Sequence, residues 1–182
     1  LIFINLFIHS ELILEITESG NKQVKIAILQ KNDSTFVGQQ IVNIISNDLK
    51  RTGEFDILSS DQLLSIPKNE SEVIQRDWLM LDVDSIVFVE TKENGGSLDI
   101  SYSIFNVSYN ETQEKRRVLG LPEGIRQSSH YVSDGIYEFF FGIEGVSSTK
   151  LMYVTKNSNI HRLMISDADG FNEQILLKSN KS

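Results

Sequence analysis

The spacing of apolar residues changes repeatedly along the first 145 residues, and this restricts the possible folds more than any other feature. Residues 24–29 form a short run rich in β-branched side chains, which predicts a strand. Capping candidates at 32–34 then precede a stripe with helical spacing, made of Val37, Ile41, Ile44, Ile45 and Leu49. Gly53 marks the end of this helix, and residues 55–58 predict a second strand.

A second helix is predicted at residues 72–81. Asn69 and Glu72 have the spacing of a capping box, which satisfies free backbone N–H groups where a helix begins. One face of this helix carries Ile74, Trp78 and Leu81. Residues 85–90 follow as a continuous apolar run, which is typical of a central strand with both faces covered.

The next elements complete the first domain. Asn94-Gly95-Gly96 predicts a tight hairpin, because the favoured turn needs positive φ at its central residues. Residues 98–104 alternate apolar and polar on the returning strand, and residues 116–119 give a further strand. A helix over 124–141 carries Ile125, Val132, Ile136, Phe139 and Phe140 and ends at Gly142. The order β-α-β-α-β-β-β-α predicts an α/β (α+β) fold, a mixed sheet with helices packed on it.

The pattern changes after Gly145. Three short apolar runs, at 151–154, 162–165 and 174–177, are joined by polar turns. Strands at this spacing are typical of a sandwich, a barrel or a propeller blade. We therefore place a domain boundary near Val146.

The start of the chain has the character of an export signal. Residues 1–8 are almost uninterrupted apolar sequence, and His9-Ser10 ends the run before Glu11. The run is too short for a transmembrane helix and has the length of a signal-peptide core. We predict that residues 1–10 are the tail of a signal peptide and that the mature chain works outside the cytoplasm. The alternative is a buried first strand.

Composition excludes several classes of function. The net charge of −8 disfavours nucleic-acid binding, which needs clustered basic residues. The chain has no cysteine, so disulfides, thiolate nucleophiles and cysteine-ligated metals are excluded. With 40% apolar and 23% charged residues, the chain has the composition of a folded globular protein.

The chemical candidates in the sequence are few. His130 lies close in sequence to serines and an acid, at Ser128, Ser129, Ser133 and Asp134. Catalytic triads converge from separate elements, so we expect His130 to cap or pack against the sheet instead. The other histidines, His9 and His161, are isolated. We predict no catalytic, cofactor or metal residues.

Two acidic patterns and one aromatic set have structural interpretations. Asp167-Ala168-Asp169-Gly170 lacks the downstream ligands of a calcium loop and predicts a tight turn. Asp82 and Asp84 are paired carboxylates by sequence, but solvated loop charges are the better interpretation. Trp78 with residues 139–141 gives an aromatic set for core packing.

Six segments carry motifs in a defined order. They are 41–55 (ending DLKRTGEF), 78–89, 102–107, 130–138, 142–145 and 163–172 (with SDADGFN). Each motif alone is weak, but together they resemble the TolB family of the Tol-Pal system, in order and nearly in spacing. Departures are Asp82, where the family has glycine, and residues 30–36, which lack the family's Gly/Pro-rich loop. The chain also stops where the family's β-propeller continues.

The resemblance implies three segments. They are a signal-peptide remnant at 1–10, a TolB-like N-terminal domain at 11–145, and the first strands of a truncated propeller at 146–182. It also implies a periplasmic, non-enzymatic protein that links inner and outer membrane and supports outer-membrane integrity and invagination at cell division. Cofactors, nucleic acid and direct membrane insertion are not expected. The alternatives are the remnant of a propeller-bearing hydrolase, or a generic binding domain.

The resemblance further implies how partners bind. In TolB-like proteins the start of the mature chain engages the inner-membrane protein TolA, and the propeller binds the lipoprotein Pal. The matching partner segment here is Glu11, Leu12, Ile13, Leu14, Glu15 and Ile16. An extended strand of this kind can add to the edge of a partner's sheet, with packing on its own domain as the alternative. Pal binding is expected only where the propeller is present.

Overall fold

The computed structural model describes residues 22–31, 35–63 and 65–179. The predicted signal segment 1–10 and the predicted partner segment 11–16 lie outside the described residues. The helices and strands are β1 (Val24–Gln30), α1 (Phe36–Arg51), β2 (Phe55–Ile57), α2 (Gln75–Met80), β3 (Ser85–Asn94), β4 (Ser97–Asn106), β5 (Glu111–Gly120), α3 (Ile125–Phe141), β6 (Lys150–Asn157), β7 (Ile160–Asp167) and β8 (Gln174–Ser179).

The first of two sheets is a five-stranded mixed sheet in the order β2-β1-β3-β4-β5. β1 runs parallel to β2 and β3, whereas β3, β4 and β5 are antiparallel neighbours. The tight turn between β3 and β4 has φ of 56° at Gly95 and 86° at Gly96, as the hairpin prediction requires. The predicted mixed sheet and its element order are confirmed.

Helices cover both faces of this sheet. Ile26 and Ile28 of β1 face α1 and α3, which share one apolar core with them. Ala27 and Leu29 point to the opposite face, where they pack with Trp78 of α2. The predicted aromatic set is therefore divided between the two cores, because residues 139–141 pack on the α1/α3 side. No helix in the described part of the chain has the length and apolar character needed to cross a bilayer.

Two predicted helix starts are placed differently by the structure. Thr35 caps α1, its side chain accepting a hydrogen bond of 3.0 Å from Gly38 N. Asn69 caps a single 3-10 turn at Glu70–Glu72 instead of the second helix, which begins only at Gln75. Ile74 therefore precedes α2 and is 53% exposed, so its predicted place on the apolar face is wrong. The end of α3 at Gly142, with φ of 69°, agrees with the prediction.

A half-buried ion pair ties the Glu70 turn to the sheet. Glu70 Oε2 lies 2.8 Å from Lys31 Nζ, and Glu70 Oε1 accepts a hydrogen bond of 2.6 Å from the Ser103 hydroxyl. Burial works to raise the pKa of Glu70, but the hydrogen bonds from Lys31 and Ser103 outweigh it and hold the pKa at about 2. The pair therefore stabilises the fold as long as Glu70 is ionised.

Glu70→Gln is expected to lower the free energy of unfolding at pH 7 by about 1–2 kcal/mol, a value reduced for partial exposure. The folded pKa lies below the unfolded one, so the stabilisation is present above about pH 4.5 and is lost as the pH falls toward 2. Denaturant unfolding of both proteins across pH 2–7 measures this. A difference in stability that stays constant down to pH 2 would contradict the assignment to Glu70.

Candidate functional site

The second sheet carries a group of exposed apolar side chains. Strands β6, β7 and β8 form an antiparallel sheet in that order, which confirms the three short strands predicted after Gly145. Its outer strands carry apolar residues between 48% and 64% exposed: Leu151, Met152, Val154, Ile175, Leu176 and Leu177. Because neighbours in a strand point to opposite faces, both faces of the sheet are apolar. The outer edges of β6 and β8 have no strand partner among the described residues.

The loop before this sheet is fastened to α3 by one buried carboxylate. Asp134 accepts hydrogen bonds from the backbone N–H of Ser147, at 2.7 Å, and of Ser148, at 2.9 Å. Gly145 lies so close to α3 that an added Cβ would meet the Asp134 Cα at 2.7 Å. Gln127 also donates to the Ser148 carbonyl at 3.2 Å. The second sheet therefore starts from a loop held against α3.

A second fastening joins α3 to the turn between β7 and β8. The guanidinium of Arg126 hydrogen-bonds Asp169, lies 3.9 Å from Asp167 through Nε, and stacks 4.0 Å from the ring centre of Phe171. Lys150 pairs with Asp167. Burial works to raise the pKa of Asp169, but hydrogen bonds from Phe171 N–H and Arg126 outweigh it and hold that pKa below its usual value.

A buried polar cluster links α1 to α3. Asp48 and His130 are each 1% exposed, and Asp48 Oδ2 lies 2.6 Å from His130 Nδ1. The same oxygen accepts a hydrogen bond of 2.8 Å from Ser133, and Arg51 reaches Asp48 Oδ1 at 2.9 Å. An ionised carboxylate only accepts hydrogen bonds, so Nδ1 carries the proton. His130 thus contacts α1 from within α3, which is not the cap or sheet contact that the sequence predicts.

The local serine and histidine pattern does not assemble into a triad. The single hydrogen of the Ser133 hydroxyl is directed to Asp48, 2.8 Å away, with the Ser129 carbonyl at 3.0 Å as a second acceptor in reach. His130 Nε2 has no hydrogen-bond partner among the described residues. Ser129 instead donates to the Ile125 carbonyl of its own helix. These contacts lack the bond between hydroxyl and imidazole that activates a serine nucleophile.

The acidic candidates Asp82 and Asp84 do not form a common site either. Asp82 forms an exposed ion pair of 3.0 Å with Lys22, whereas Asp84 accepts a hydrogen bond of 2.8 Å from Lys25 N where β1 begins. The two therefore have different partners and are not paired carboxylates. The predicted turn at 167–170 is confirmed by a hydrogen bond of 2.9 Å from Gly170 N to the Asp167 carbonyl.

The structure brings together residues that the sequence keeps apart. His130, Asp167 and Asp169 each place one ligand-type atom within 4.8 Å of the others. Asp48, which holds His130, lies 82 residues away in sequence and begins the DLKRTGEF motif, but that motif gives no sign of its contact with His130. Thus the chemistry at the junction depends on how α1, α3 and the second sheet pack.

Comparison with known proteins assigns the family. The TolB amino-terminal domain family matches residues 12–113, which is more than half of the chain. The chain belongs to the TolB family. The resemblance seen in the sequence motifs is thereby confirmed, and the five-stranded sheet with its helices is the TolB N-terminal fold.

TolB relatives extend well beyond this chain. The Tol-Pal system protein TolB of Alcanivorax borkumensis is 31% identical over 177 residues, covering 95% of this chain and 41% of the relative. That of Pseudomonas aeruginosa is 31% identical over 175 residues, covering 92% and 40%. The crystal structure of TolB from Acinetobacter baumannii matches with a TM-score of 0.75 at 25% identity, covering 88% of this chain and 40% of that one. The chain spans about two fifths of these relatives.

The structural match also bears on the second sheet. Residues 1–145 make up about 80% of the 182 residues, and the match to the A. baumannii TolB covers 88%. The similarity to that TolB therefore includes part of the chain after Gly145, where the exposed apolar strands lie.

Proposed function

We propose that this chain is a protein-binding component of the Tol-Pal system that works in the periplasm without catalytic turnover. It would link the inner to the outer membrane and so support outer-membrane integrity and invagination during division. Family membership and the names of the relatives, Tol-Pal system protein TolB, support this proposal. The observation that carries it is the match of residues 12–113 to the TolB amino-terminal domain family.

Residues 146–182 are proposed as the first strands of a β-propeller. Three short antiparallel strands with two apolar faces match one incomplete blade, whose neighbours in a full ring would cover those faces. The relatives are about two and a half times as long as the matched region, which provides chain for the other blades. Residues 11–145 are the corresponding N-terminal domain. On this proposal, a Pal-like lipoprotein binds only where the whole propeller is present.

Residues 11–16 are proposed as the segment that binds a TolA-like inner-membrane protein. In an extended conformation, Leu12, Leu14 and Ile16 would share one side of the backbone and Glu11, Ile13 and Glu15 the other. Such a strand can pair its backbone with the edge of a partner sheet and place one apolar row in the partner's pockets. The affinity then depends on both the backbone N–H groups and that row.

Deletion of residues 11–16 is expected to raise the Kd for a TolA-like partner by at least about tenfold, because both contributions are lost. Calorimetric titration of the partner into wild-type and deleted protein measures this. The triple change of Leu12, Leu14 and Ile16 to serine should have a similar effect, whereas Ile13→Ser on the other side is the matched control. Unchanged affinity after the deletion would remove the assignment of this segment.

The second part of the test measures binding to a Pal-like lipoprotein. Residues 11–182 alone are expected to show no measurable binding to it, while a full-length relative binds. Retained Pal binding by residues 11–182 would contradict the division of roles between the N-terminal domain and the propeller, even if the TolA result stands.

A further inference from the structure

We propose that His130, Asp167 and Asp169 bind a divalent transition-metal ion at the junction of α3 with the second sheet. One ring nitrogen of His130 and one carboxylate oxygen from each aspartate lie within 4.8 Å of one another. His130 and Asp167 are buried, and Asp169 is half-buried in the turn that follows β7. Three ligands from two separate elements thus converge on one point.

The histidine supplies an independent reason to expect a ligand. Its Nε2 is buried and has no hydrogen-bond partner among the described residues. In the neutral ring with Nδ1–H directed to Asp48, Nε2 is the nitrogen with the free lone pair. A histidine that binds a metal through one nitrogen commonly donates the other N–H to a carboxylate, which fixes the tautomer and orients the ring. Asp48, itself held by Ser133, occupies that supporting position.

The donor set indicates which ion fits. One imidazole and two carboxylates suit zinc and similar ions, whereas calcium and magnesium prefer oxygen ligands alone. Zinc binds such atoms tetrahedrally at about 2.0–2.2 Å, so two ligand atoms lie roughly 3.4 Å apart. The three groups, now within 4.8 Å of one another, would therefore have to approach by up to about 1.4 Å. Asp169 lies in a turn, where a small change of its side chain achieves this.

Resident cations would compete with the metal. The carboxylates of Asp48, Asp167 and Asp169 face the cations of Arg51, Arg126 and Lys150, so the metal-free cluster is balanced in charge. A divalent ion must displace one cation, and Arg126 is the best placed because it contacts both aspartates of the site. Its Nε has no hydrogen-bond partner among the described residues, although it lies 3.9 Å from Asp167 Oδ2.

The competition gives a test in which two variants change the affinity in opposite directions. Zinc alone is titrated into the whole chain by calorimetry, with circular dichroism to verify that each variant is folded. Asp169→Asn removes a ligand but can still accept the hydrogen bond from Phe171 N–H, and it is expected to weaken zinc binding at least tenfold. Arg126→Gln removes the competitor and is expected to tighten binding severalfold. His161→Gln is the control histidine and should change nothing.

The ligating atom is identified by nitrogen NMR of the histidine rings. Zinc is expected to shift Nε2 of His130 and to leave the ring of His161 unchanged. Affinity that is unaffected by Asp169→Asn, or that is weakened or unaltered by Arg126→Gln, would overturn the site. A zinc response confined to His161 or His9 would also overturn it, since it would show adventitious binding elsewhere on the chain.

Discussion

Replacement of Asp48 by alanine is expected to lower the free energy of unfolding by about 3–5 kcal/mol, because it leaves buried polar groups without their partner. Asp48 is 1% exposed and accepts hydrogen bonds from His130, Ser133 and Arg51. Alanine offers none of these acceptors, and water cannot readily replace them in the interior. Denaturant unfolding followed by fluorescence of the single tryptophan, Trp78, measures the loss.

Two further variants distinguish the effect of burial on stability from the effect of charge. Asp48→Asn keeps the shape and one acceptor oxygen, so its cost should lie between those of wild type and Asp48→Ala. Lys22→Ala breaks the exposed ion pair with Asp82 and should leave the free energy of unfolding nearly unchanged, because solvent screens this pair. A loss below about 1 kcal/mol for Asp48→Ala would show that the cluster is not what holds α1 to α3.

The periodic elements could be predicted from sequence because each repeats its pattern several times. In α1 the apolar residues return every three or four positions, and Ile41, Ile45 and Leu49 are indeed buried. The Asn94-Gly95-Gly96 turn was predictable because it needs positive φ, which glycine adopts without strain. These features depend on neighbours in sequence, so the sequence is enough to locate them.

Features that depend on packing could not be predicted in the same way. β5 spans ten residues, although the sequence predicts a strand only at 116–119 and only Val118 and Leu119 are apolar, because an edge strand is held by backbone pairing with β4. Trp78 packs on the sheet face opposite α3, which the helix pattern does not specify. Asp48 has the sequence context of a polar residue near a helix end, and its burial follows only from the contact of α1 with α3.

Replacement of Gly145 by alanine is expected to loosen the second sheet from the first domain by on the order of 3 kcal/mol, or roughly 100-fold in a local opening equilibrium. The new Cβ would meet Asp134 at Oδ1, 2.5 Å away, and at the backbone Cα, 2.7 Å away. A backbone atom of a helix cannot move aside cheaply, so the loop has to shift. That shift would break the bonds from Ser147 N and Ser148 N to Asp134.

Hydrogen exchange distinguishes this local opening from general destabilisation. The amides of Ser147 and Ser148, followed by those of β6, should lose protection, while the amides of β3 in the first domain keep theirs. Gly124→Ala is the matched control, since its Cβ meets nothing within 4 Å and the position lacks a positive φ. Equal loss of protection in β3 and β6 would mean that both sheets unfold as one unit. In that case the junction at Asp134 would be part of a common core and not a separable contact between the domain and the sheet that follows it.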